Sequence, residues 1–218
     1  MAKIHVYLMP GMAASSAIFE RIELTEALFV VHLLEWEVPT ERDSLESYAQ
    51  RMALKVVHED AILIGVSFGG ILVQEMKAFL KVRKVIIISS VKSRDELPRK
   101  MKIARATKAY KLLPTTLVAY VEQLAQFAFG PAIKKRLSLY EKFLSVRDKY
   151  YLDWSIYQIV NWNRTVVDPA VIHIHGDADE VFPIQYIKDC IVVKGGTHIM
   201  ILNKYKWLNE NLPEIMLD

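Results

Sequence analysis

Cysteine is nearly absent: Cys190 is the only one in 218 residues. A single thiol excludes an internal disulfide and fits a reducing compartment. It sits in "DCIVVKGG", which reads as a buried strand, so an inert core thiol is expected. A charge excess of one sign is also lacking. Lys and Arg number 28 against 25 Asp and Glu, a net +3, and the basic residues are not interleaved with aromatics in any nucleic-acid module. No apolar run approaches the ~18 residues of a membrane span. No charged segment leads into a long apolar stretch before the first strand. Internal repeats and low-complexity tracts are missing. These absences predict a cytoplasmic protein without nucleic-acid or membrane partners.

What is present is apolar. Hydrophobic residues make up 52% and charged residues 24%. That composition supports a single sizeable core and argues against disorder. "KIHVYLMP", "FVVHLLEWEVP", "AILIGV", "KVIIISS", "AVIHIHG" and "CIVVKGG" read as six strands. Several are apolar nearly throughout, as strands buried on both faces must be. Helical patterns lie between them: "SSAIFERIELTEAL", then "SLESYAQRMALKVV" with Ser44 as N-cap, then "GGILVQEMKAFL", and "NKYKWLNENLPEIM" at the end. The alternation predicts an α/β fold, an open, mostly parallel twisted sheet of about six strands flanked by helices. Between the fourth and fifth strands the rhythm breaks into helical segments punctuated by Pro98, Pro114 and Pro131. The expected division is a core of 1–91 and 166–218 with a helical cap insertion at 92–165.

Glycine is scarce, eight residues in all, yet Gly65, Gly69 and Gly70 crowd around Ser67. Gly-x-Ser-x-Gly between a strand and a helix is a nucleophile elbow, whose tight turn demands small neighbours and lifts the serine clear of the sheet. Ligands of open parallel sheets bind at the carboxyl ends of the strands, where Ser67 lies. A serine needs a base. His198, in a Gly-Gly-Thr loop after the sixth strand, reaches the same edge. An acid must hold the histidine's tautomer. Asp177 and Asp179 both follow the fifth strand, and Asp95 follows the fourth.

Together, in this order, "GVSFGG", "LMPGMAASS", "HGDADEVFP" and "GGTHIM" resemble the elbow, oxyanion loop, acid loop and histidine loop of the α/β-hydrolase superfamily. The resemblance covers essentially the whole chain. It departs at Pro10, where many relatives have His before the glycine; the oxyanion donor there is a backbone amide, so little depends on the side chain. The family pattern selects Asp179, three residues after the glycine of "HG", and leaves Asp177 to cap the turn. It implies an oxyanion hole from the backbone N–H groups of Met12 and Phe68. Ser15 and Ser16 are expected to start the first helix.

The implied activity is a serine hydrolase acting on an ester or related acyl bond of a small, largely apolar molecule, with no cofactor. A thioesterase, C–C hydrolase or lyase on the same residues, or a non-catalytic receptor of the same fold, is the alternative. Leu113, Phe127, Trp154, Tyr157 and Trp162 are candidate pocket walls. The basic run Arg99, Lys100, Lys102, Arg105, Lys108 and Lys111 reads as a solvated helix face. "HIHGDAD" superficially resembles a metallohydrolase motif but has Ala178 where the second half needs His, so no metal is expected. His5, His32 and His58 have no evident partner.

Overall fold

The computed structural model describes residues 2–112 and 142–218. Six strands, β1 (Ile4–Met9), β2 (Phe29–Leu33), β3 (Ala61–Val66), β4 (Val82–Ile88), β5 (Val171–Gly176) and β6 (Ile191–Val193), form one sheet in the order β2-β1-β3-β4-β5-β6. Every pair is parallel, with Val6 opposite Ile62, Ile64 opposite Ile86 and Ile88 opposite Ile174. The central strand β3 is buried at all its positions, as helices on both faces of a parallel sheet require. Its β-branched and leucine side chains suit that two-sided burial, worth roughly 1.5–3 kcal/mol per large side chain.

Helix α1 (Leu45–Ala53) starts where Ser44 Oγ accepts from Ser47 N–H and buries Leu45, Tyr48 and Met52. Helix α2 (Phe68–Met76) leaves the end of β3 at Ser67. Helices α3 (Arg99–Thr107) and α4 (Lys149–Asn161) lie between β4 and β5, and α5 (Met200–Asn203) and α6 (Tyr205–Leu217) close the chain. The basic residues of α3 are mostly exposed, as a solvated face.

Two expectations are corrected. The first long helix is a single 3-10 turn, Ser16–Phe19. That turn suffices to bury Ile18 and Phe19. Residues 20–28 are exposed or only half-buried, so no apolar stripe holds a longer helix against the core. Cys190 is not a core thiol. It is half-buried just before β6, an edge strand whose Ile191 and Val192 are exposed on the sheet's margin.

Candidate active site

At Ser67 the backbone adopts φ 51°, ψ −118°, a left-handed conformation costly for a residue with a side chain. Tight packing enforces it. A Cβ on Gly65 would sit 2.3 Å from the carbonyl oxygen of Gly69, and one on Gly69 would sit 2.3 Å from that of Pro10. The turn therefore closes only with glycine at both places. Ser90, at the end of β4, donates its hydroxyl to the Ser67 carbonyl at 2.7 Å and secures the turn from beneath.

Ser67 Oγ and His198 Nε2 are 2.9 Å apart, and His198 Nδ1 is 2.9 Å from Asp179 Oδ2. With Nδ1 protonated toward the carboxylate, Nε2 is free to accept the serine proton. Asp179 is buried, its side chain fully so. Its other oxygen accepts the N–H groups of Val181 and Phe182 at 2.8 and 2.9 Å. Burial works against its charge, but the facing His198, the Phe182 amide and the nearby His175 outweigh it and hold the carboxyl below the usual range. Asp177 points elsewhere: its Oδ1 accepts from Gly195 N–H at 2.6 Å. The acid and histidine loops are further clamped by Ala178 N–H donating to Gly196 O at 2.9 Å. A Cβ on Gly176 would lie 2.0 Å from that same Gly196 oxygen. Asp95 is exposed beside Arg94, and no contact joins it to His198 among the described residues.

The loop after β1 runs against the serine; a Cβ on Gly11 would be 3.3 Å from Ser67 Cβ. The Phe68 amide, first of α2, has no acceptor within its helix. Neither it nor the Met12 amide has an acceptor among the described residues. Both can serve a developing negative charge, aided by the helix N-terminus.

No family model matches the chain, and no curated protein matches its sequence. Solved structures do match. A hydrolase from Pseudomonas aeruginosa PA01 aligns with a TM-score of 0.76 at 13% identity, covering 98% of this chain and 90% of the other. A thermophilic esterase from Thermogutta terrifontis aligns at 0.74 and 13%, covering 99% and 90%. The enol-lactonase from Burkholderia xenovorans LB400 aligns at 0.68 and 13%, covering 100% and 93%. The chain has the α/β-hydrolase fold.

On this α/β-hydrolase fold a cavity of about 170 Å³ opens onto Ser67 and His198. Among the described residues its walls are almost wholly apolar, with Ile18 from the 3-10 turn, Met101 from α3, Ile159 from α4, and Phe182 and Ile201 from the loops and helix around His198. Trp154, Tyr157 and Trp162, read from the sequence as walls, are not in its lining. Trp154 packs on Tyr48 and donates its indole N–H to the Asp43 carbonyl. Trp162 donates to Glu75, and Tyr157 meets Tyr110 edge to face on the surface. Indole N–H groups demand acceptors when buried, and these acceptors lie away from the cavity. Leu113 and Phe127 lie outside the described residues. Ser15 and Ser16 also stay clear of Ser67: Ser16 binds the Glu35 carboxylate through both its N–H and hydroxyl, and Ser15 donates its N–H to Phe143 O.

Trp36 and Tyr151 escaped the sequence reading. Trp36 donates its indole N–H to Gly11 O at 2.8 Å and stacks on Phe68 with centroids 4.9 Å apart. Tyr151 Oη accepts from Ala13 N–H at 3.3 Å. Behind the acid, His175 Nε2 donates to Phe182 O at 2.8 Å, and its Nδ1 lies 3.0 Å from His173 Nε2. The carbonyl can only accept, so the neutral pair is ordered His173 Nε2–H to His175 Nδ1, leaving His173 Nδ1 bare. Among the described residues that buried atom has no hydrogen-bond partner. The one local signal was the placement of both histidines on one strand face. No helix among the described residues is long and apolar enough to cross a membrane.

Proposed function

We propose that the protein is a serine hydrolase that cleaves an ester or related acyl bond of a small, largely apolar substrate. The observation that carries this reading is the line of two 2.9 Å contacts from Ser67 Oγ through His198 to the buried Asp179, at the mouth of an apolar cavity. Ser67 attacks the substrate carbonyl while His198 Nε2 takes its proton. Asp179 holds the imidazole's orientation and stabilises the imidazolium. The amides of Met12 and Phe68 bind the oxyanion, each such donor being worth about 10²–10³ in rate. His198 then protonates the leaving group, and water, activated by the same histidine, releases the acid and restores Ser67.

The apolar lining supports an acyl group without charge, and Met101 and Ile159 support a role for segment 92–165 as a cap over a core formed by 1–91 and 166–218. The hydrolases and esterases among the structural neighbours favour this class of reaction over a non-catalytic receptor. The test is covalent labelling with a fluorophosphonate together with turnover of aryl esters. Wild-type protein should label at Ser67 and hydrolyse short esters. Ser67→Ala should do neither, with turnover reduced on the order of 10⁴-fold or more. A folded wild-type protein that fails to label at Ser67 would remove the proposal.

A further inference from the structure

His5, His32 and His58, unconnected in the sequence, meet in space. His5 and Tyr7 alternate on one face of β1, and His32 pairs with Tyr7 across the β1–β2 ladder. His58 comes from the connection between α1 and β3. One ring nitrogen from each histidine lies within 4.8 Å of one from each of the others. His5 Nδ1 is 2.9 Å from His32 Nε2, and the His5 and His58 rings stack with centroids 3.5 Å apart and planes 6° from parallel. All three are half-buried.

We propose that these three imidazoles form a binding site for a divalent transition metal, Zn²⁺ being the natural occupant by ligand chemistry, with water in the fourth position. Imidazole nitrogen suits Zn²⁺ among the borderline metals, and three protein ligands plus an open position is a recurring zinc arrangement. Nitrogens on a tetrahedral Zn²⁺ at about 2.0–2.1 Å are about 3.3 Å from one another. The His5–His32 pair is already slightly closer than that, and the third nitrogen lies within 4.8 Å of both, so metal binding requires the stacked His58 ring to turn toward them.

Among the described residues no carboxylate stands within ion-pair distance of the three rings. An outer partner is also in place: Tyr7 Oη is 2.6 Å from His58 Nδ1 and accepts Val57 N–H at 3.2 Å. As an acceptor of Nδ1–H it would fix the His58 tautomer with Nε2 directed to the metal, the usual outer-shell support of a ligating histidine.

The site is separate from the serine. His5 precedes Gly11 by six residues, about 20 Å of extended chain. Its effect is structural: the metal would tie β1 and β2 to the segment leading into β3, and binding to the native state alone raises the unfolding temperature.

The experiment is calorimetric titration of Zn²⁺ into untagged, chelator-treated full-length protein, with parallel thermal melts. Expected is saturable binding of one Zn²⁺ per chain and a rise in unfolding temperature. His198→Gln should bind as wild type. Tyr7→Phe should weaken binding by about 10–100-fold, as loss of an outer-shell partner does, and removal of a ligand by more. His58→Gln, outside the strands, serves if the His5→Gln or His32→Gln protein does not fold. Absence of stoichiometric binding to wild type would overturn the proposal, as would affinity unchanged in folded His58→Gln or lost in His198→Gln.

Discussion

Trp36 and Gly11 are joined by a 2.8 Å hydrogen bond from the indole N–H to the glycine carbonyl. This bond holds the Gly11–Met12 peptide, whose N–H is one of the two proposed oxyanion donors. The same indole stacks on Phe68, whose amide is the other. One buried side chain thus ties both donors together. Trp36→Phe should keep most of the packing and lose the bond. The Gly11 carbonyl keeps its second bond, from Ala14 N–H at 3.1 Å, so the loss is that of one ordinary hydrogen bond, about 0.5–1.5 kcal/mol. Expressed in the placement of the oxyanion donors, that lowers turnover by up to about tenfold while KM changes little. Steady-state kinetics on the folded variant check this.

The carboxylates around His198 should separate cleanly. Asp179 faces Nδ1 of the histidine and Asp177 binds the Gly195 amide. Asp179→Asn should lower turnover by up to ~10⁴-fold, because the amide favours the wrong histidine tautomer. Asp177→Asn should cost about 1 kcal/mol of stability and little rate, and Asp95→Asn should be close to neutral in both. Kinetics and urea denaturation of the three variants decide the assignment.

Chain-length preference should follow the cavity wall. Ile159 from α4 lines the cavity and is itself buried. Ile159→Ala should shift preference toward longer acyl chains by ~10–200-fold per methylene accommodated. It should also lose about 2–5 kcal/mol of stability, as truncation of a buried Ile does. A series of aryl esters of increasing acyl length measures the shift.

Stability should decline in mild acid through the histidine pair behind Asp179. Burial first, then the neighbouring His175 and the Lys92 charge, hold His173 well below the ordinary range. Burial also lowers His175, against the pull of Asp179 and the Phe182 carbonyl, with His198 adding to the lowering. Both are neutral in the fold and gain protons on unfolding once pH falls below about 6.5. Their contribution is full above that pH and is lost as pH falls toward the folded-state values, at up to about 1.4 kcal/mol per pH unit for each histidine. The informative quantity is therefore a difference: His173→Gln should lose less stability than wild type between pH 7 and pH 5, measured by urea denaturation.

The strands and the Ser67 turn were legible because their causes are local. β3 is apolar along its whole length since both its faces are covered, and a turn that admits no Cβ at Gly65 or Gly69 must be written in glycine. Ser44 shows its capping role in its own sequence neighbourhood. The parallel pairing followed from the strand–helix alternation, but the sheet order was not local, and neither was the choice between Asp177 and Asp179 as the partner of His198, which the residues alone left open and the family pattern made. Two carboxylates two residues apart look alike until the loop after β6 arrives, binding one through Gly195 and the other through His198. The same reason hid Trp36, Tyr151 and the three clustered histidines. It also sent Trp154 and Trp162 to acceptors on other elements rather than to the cavity. Periodicity tells a side chain's face, and composition tells that a core exists. Which distant backbone atom a buried indole or imidazole finds depends on how the elements pack, and that was decided only when the sheet closed against its helices.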